Sequence, residues 1–156
     1  MKVALCLQHV SFEGPGVFRR ALETRGYRVR SVLVPVDGLP SDPGDFLLIM
    51  GGPMSVNDPD SWIESELHFV KTVLRSGIPV LGICFGAQLL AKTLGGSVAP
   101  GPKFEIGMVS VSLTGIGTAD PVFGSAPQTF PVFQWHGEGM TLPSESTHLA
   151  TSADFP

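Results

Sequence analysis

The sequence has little charge for its length: Asp, Glu, Lys and Arg make up 15% of its 156 residues. No run of like charge exceeds the pair Arg19-Arg20, and the formal net charge is −4. A basic face for nucleic acid is therefore disfavoured, and no nucleic-acid partner is expected. Only two cysteines are present, Cys6 and Cys84. That is too few for a disulfide framework. No stretch approaches the ~20 apolar residues of a membrane span. The apolar run at residues 3–7 is too short for the core of a signal peptide. A cytoplasmic protein with no membrane partner is the expectation. The sequence shows no internal repeat, no low-complexity segment, no metal-ligand spacing and no phosphate-binding loop. Gly14-Pro15-Gly16 reads only as a turn that opens a helix. No metal and no cofactor is expected.

Hydrophobic residues, by contrast, reach 43%, enough to fill one core. Glycine (19) and proline (14) are frequent, which implies many tight loops. Residues 3–7 read as a buried strand. A helix over 16–25 follows, with Val17, Phe18, Ala21 and Leu22 on one face and Gly26 as its left-handed cap. Residues 28–34 form a second strand and 35–44 a loop. Phe46-Leu47-Leu48-Ile49-Met50 is an unbroken apolar run, as in a strand buried on both faces. Ser61 is expected to cap the next helix, with Glu64 as capping-box partner. Ile63, Leu67, Val70 and Leu74 make its stripe, and Gly77 closes it. Residues 79–83 read as another buried strand, and 87–94 as a helix closed by Gly95-Gly96.

Strands alternating with helices predict an α/β fold: a doubly wound, mostly parallel sheet with helices on both faces. Beyond Pro100 the pattern changes. Residues 105–113 and 128–135 look like strands, with one helical turn over 120–124. These are expected to add mixed or antiparallel strands at one side of the sheet. No linker separates them, so residues 1–156 are read as one domain.

The segment Gly82-Ile83-Cys84-Phe85-Gly86-Ala87-Gln88 is the most informative. A buried strand ends abruptly in a cysteine flanked two residues either side by glycine, and a helix starts at once. This is the layout of a nucleophile elbow. Small neighbours let the backbone bend and the substrate approach. A helix N-terminus favours the thiolate, and its N–H groups can receive an oxyanion. The plain alternative is a buried cysteine in a capping turn. Met50-Gly51-Gly52-Pro53 lies where open α/β sheets place their ligand crevice, but taken alone it reads as an ordinary turn. Gln134-Trp135-His136-Gly137-Glu138 runs from a strand into a loop with a His-x-Glu spacing. It fits a general base with its carboxylate, a loop lining the substrate, or simply a solvated loop histidine. His9, His68 and His148 read as ordinary histidines, with His9 a weak candidate for lining the crevice.

These residues together carry a resemblance. Gly82-Ile83-Cys84-Phe85-Gly86-Ala87-Gln88 is similar to the G-x-C-x-G-x-Q signature of class I glutamine amidotransferases. Gly51-Gly52-Pro53 resembles their oxyanion loop. Glu105-Ile106-Gly107 and the 134–138 segment resemble later landmarks of the free-standing, GMP-synthase-like branch. The resemblance implies a flavodoxin-like fold and glutamine hydrolysis. It makes Cys84 the nucleophile and gives the oxyanion-hole N–H groups to Gly52 and Phe85. Gln88, Gly51 and His136 would lie on the substrate side. The expected substrate is glutamine or a γ-glutamyl compound. The expected partner is a separate synthase subunit that accepts ammonia.

One departure stands out. The family's base and carboxylate come from a Gln-Phe-His-Pro-Glu type segment on a later strand, and this sequence holds none. A C-terminally truncated domain, impaired in catalysis and with an uncovered sheet edge, is therefore the expectation. His136 and Glu138 are read either as the upstream substrate-side loop or as a substitute dyad. A non-catalytic, glutamine- or partner-binding relative and a γ-glutamyl peptide hydrolase are the alternatives. The intracellular-protease-like group fits less well, because Phe85, not His, follows the elbow.

Overall fold

The computed structural model describes residues 1–155; Pro156, where the reading above ends its domain, lies outside them. The chain divides into two compact units, Met1–Leu94 and Gly95–Pro156.

In the first unit, β1 (Lys2–Gln8), β2 (Tyr27–Leu33), β3 (Phe46–Ile49) and β4 (Val80–Gly82) form one sheet in the order β2-β1-β3-β4. Every pairing is parallel. The two central strands are the two uninterrupted apolar runs. Ala4, Leu5, Cys6, Leu7, Leu47, Leu48 and Ile49 are all fully buried, as strands covered on both faces must be. The strand order reverses between β1 and β3. In an open α/β sheet such a reversal opens a crevice beyond the carboxyl ends of those strands.

The elements follow the expected plan with five differences. α1 (Gly16–Thr24) sets Phe18 and Leu22 against the core cluster of Cys6, Leu48 and Met50, but its Val17 and Ala21 are exposed. The expected loop after β2 contains a short helix, α2 (Val34–Asp37). The N-cap of α3 (Ser61–Arg75) is Asp60 rather than Ser61, and no side-chain cap bond forms. Its buried positions are Ile63, Glu66, Val70 and Val73, which rotates the stripe to admit a carboxylate. The last difference is in the sheet. β4 was expected to be buried, yet it is an edge strand with Leu81 37% exposed. α4 (Phe85–Thr93) starts at once after the turn at Cys84.

In the second unit, β5 (Val98–Leu113), β6 (Thr129–Met140) and β7 (Ala150–Thr151) form a separate antiparallel sheet in the order β6-β5-β7. The extra strands are thus antiparallel, as expected, but bond to each other rather than extending the parallel sheet. A 3-10 turn at Gly117–Ala119 precedes the expected turn over 120–124. The 136–138 segment, expected as a loop, lies inside β6 and pairs with β5.

Candidate active site

The crevice ends of β1, β3 and β4 carry the candidate residues of the first unit. Cys84 sits between β4 and α4 with φ 52° and ψ −113°, the one non-glycine positive φ among the described residues. A backbone held there costs on the order of 1–3 kcal/mol and persists only where its surroundings impose it. Those surroundings are visible. The Ile83 N–H donates to the Ile49 carbonyl at 2.9 Å, tying the turn to β3. The Ala87 and Gln88 N–H groups donate to the Cys84 carbonyl at 2.9 and 3.1 Å, starting the helix.

The flanking glycines are needed for space. A Cβ on Gly82 would sit 2.5 Å from the Gly86 carbonyl carbon and oxygen, and one on Gly86 would run into the Ile49 carbonyl. Strand and helix therefore meet backbone to backbone, which aims the Cys84 side chain outward. The residue is exposed. A Cβ on Gly51 would lie 3.4 Å from the Cys84 Cβ and 2.6 Å from a Glu13 carboxylate oxygen. Diglycine, thiol and carboxylate thus share one small space at the carboxyl ends of β3 and β4. Desolvation pushes the Cys84 thiol above its ordinary value; a hydrogen bond from the Phe85 N–H opposes this, and the Glu13 charge adds to it. Phe85 and Gln88 are buried in the first turn of α4.

Behind the diglycine lies a group that pattern reading undervalued. His9, which follows β1, is buried, with one ring nitrogen (Nδ1) 3.0 Å from the Gly51 carbonyl oxygen. Its Nε2 lies 3.2 Å from both carboxylate oxygens of Glu66, and both side chains are fully buried. The ring stacks on Trp62 at 5.6 Å and tilts against Phe85 at 4.5 Å. Glu66 and Glu13 were not singled out in the sequence. The available signal was a carboxylate at a core-facing position of α3, which only the rotated stripe reveals. Glu13, in a loop, has no periodic signal at all.

His136 and Glu138 belong to the second unit. His136 Nε2 lies 3.2 Å from the buried Glu105 carboxylate. Its Nδ1 is 3.0 Å from the Glu138 backbone carbonyl, and its ring packs edge-on to Phe155 at 4.4 Å. The carboxylate facing the histidine is therefore that of Glu105, from the neighbouring strand.

The family described as glutamine amidotransferase class-I matches residues 17–155. A glutamine amidotransferase-like protein of Salmonella typhimurium is 31% identical over 156 residues, covering 95% of this chain. The chain spans 65% of that relative's length. A glutamine-hydrolysing GMP synthase of Thermomicrobium roseum is 43% identical over 112 residues, which are 70% of this chain and 20% of the synthase. Among solved structures, a glutamine amidotransferase of Thermotoga maritima superposes with a TM-score of 0.88 at 29% identity, covering 99% of this chain and 68% of that one. One from Methylobacillus flagellatus gives 0.89 at 31%, covering 99% and 63%.

Proposed function

The chain belongs to the class-I glutamine amidotransferase family, and from that premise we propose that it hydrolyses the side-chain amide of glutamine through a thioester on Cys84. The family match spans both compact units, which supports reading residues 1–156 as belonging to a single amidotransferase domain. The Cys84 thiolate adds to the amide carbon. The carbonyl oxygen becomes an oxyanion, held by the N–H groups of Gly52 and Phe85. Collapse breaks the C–N bond, and the nitrogen leaves as ammonia once it has gained a proton. Water then cleaves the thioester to glutamate and restores the thiol. Gln88 and Gly51 are proposed to lie on the substrate side.

One observation carries this reading: a strained, outward-facing cysteine beside a diglycine, at the carboxyl end of the sheet. The reaction is proposed to be slow. Desolvation, with the Glu13 charge adding to it, holds the Cys84 thiol above its ordinary value, which leaves less of the reactive thiolate. The match to a glutamine-hydrolysing GMP synthase supports an ammonia-consuming synthase as partner, in the cytoplasm. The same chemistry would cleave a γ-glutamyl bond. The test is incubation with 6-diazo-5-oxo-norleucine followed by intact mass and peptide mapping. One adduct on Cys84, lost in Cys84→Ala, is expected; an unlabelled wild-type chain overturns the reading. The raised thiol favours a second reading, glutamine binding without turnover. Calorimetric binding with no ammonia release and no adduct would establish it instead.

A further inference from the structure

We propose that His9, held by Glu66, is a positioning residue that sets the Gly51–Gly52 peptide so that its N–H faces the oxyanion formed at Cys84. The inference rests on the thioester reading above and adds to it what orients the hole. A peptide is planar and trans, so the Gly51 carbonyl and the Gly52 N–H point in opposite directions from one rigid unit. Whatever grips the carbonyl aims the N–H. Glycine on both sides of that peptide leaves it otherwise free to rotate.

His9 supplies the grip. A carbonyl oxygen only accepts, so the nitrogen 3.0 Å from it, Nδ1, carries hydrogen and donates. The opposite nitrogen lies 3.2 Å from both oxygens of Glu66, and a proton between that nitrogen and the carboxyl group makes the contact a hydrogen bond that fixes the ring. Glu66 is fully buried on α3, so the pair is locked to a fifteen-residue helix rather than to a loop. Trp62 stacks on the ring and Phe85 tilts against it, which holds its position. Phe85 is the residue whose own N–H is the second proposed donor. One imidazole therefore touches the peptide whose N–H is one half of the hole and the side chain of the residue that supplies the other. His9 stands behind the peptide and Cys84 stands beside Gly51.

The test compares two electrophiles on the full chain. Diazo-oxo-norleucine presents a carbonyl to the hole; iodoacetamide alkylates sulfur by simple displacement and makes no oxyanion. His9→Gln keeps an amide near the Nε2 position for Glu66 but has none near Nδ1, whereas His9→Asn keeps a donor near Nδ1. Loss of one oxyanion donor costs about 10²–10³ in rate. His9→Gln is expected to slow diazo-oxo-norleucine labelling of Cys84 at least about tenfold while iodoacetamide labelling stays at the wild-type rate. His9→Asn is expected to restore much of the loss. Equal labelling of wild type, His9→Gln and His9→Asn overturns the assignment and leaves the thioester reading standing. A parallel fall with both reagents also overturns it, because His9 would then serve only the fold. A wild-type chain that diazo-oxo-norleucine does not label removes both readings together.

Discussion

Two thiols in one chain meet opposite environments. Cys6 lies in the middle of β1, fully buried, and burial pushes its thiol up to about 11. Cys84 is exposed at the elbow, yet it too is raised, first by desolvation and further by the Glu13 charge. The thiolate is the reactive species, so a raised value moves reactivity toward higher pH. Iodoacetamide on the native chain should therefore give one adduct, at Cys84. Its rate should climb with pH to a midpoint above the ordinary thiol value of 9.0. Glu13→Gln removes a negative charge beside the thiolate, so the midpoint should move down and the rate at neutral pH should rise about threefold. Mass spectrometry of timed samples between pH 7 and 10 measures both. A wild-type midpoint below 9.0, or a Glu13→Gln chain that reacts more slowly, contradicts this account.

At the scale of elements, the elbow depends on how closely α4 approaches β3. Gly86 has no room for a side chain because the Ile49 carbonyl occupies it. Gly86→Ala must push the helix from the central sheet, and overpacking of this kind costs about 1–3 kcal/mol. That corresponds to a Tm lower by roughly 3–10 °C at this size. Gly115→Ala, where a Cβ meets nothing within 4 Å, should leave Tm unchanged. Calorimetry of the two variants separates packing from a general penalty on glycine replacement. The elbow was legible because its constraints are local: strand, turn, two glycines and helix occupy seven consecutive residues. The buried pair behind it was not, since His9 and Glu66 meet across 57 positions and each looks ordinary in its own segment. The α3 stripe shows why. Leu67 and Glu66 differ by one step around the helix, and only packing decides which turns inward.

The same limit governs the whole molecule's surface. Residues 105–113 alternate as a strand should, and β5 contains them. Yet the buried member near its start is Glu105, while Ile106 is 65% exposed. Alternation announces two faces without saying which is covered, and a shift of one residue exchanges them. Here the paired residues Ile106 and Trp135, and Met108 and Phe133, stand on one face of the β5–β6 ribbon, all exposed, with Trp135 at 70%. A contiguous apolar surface of this kind is unusual for a monomer and promotes association. It should bind an apolar dye such as anilinonaphthalene sulfonate in the native state. Replacing Ile106 and Trp135 together by serine removes apolar area that water already reaches. The expected result is a clear fall in dye fluorescence with stability altered by less than about 1 kcal/mol, since exposed strand positions carry only modest propensity terms. Val111→Ser, on the buried face of the same strand, should instead lower Tm by several degrees. A double variant that unfolds as readily as Val111→Ser would show that the ribbon's outer face is covered in solution, and would contradict the exposure described here.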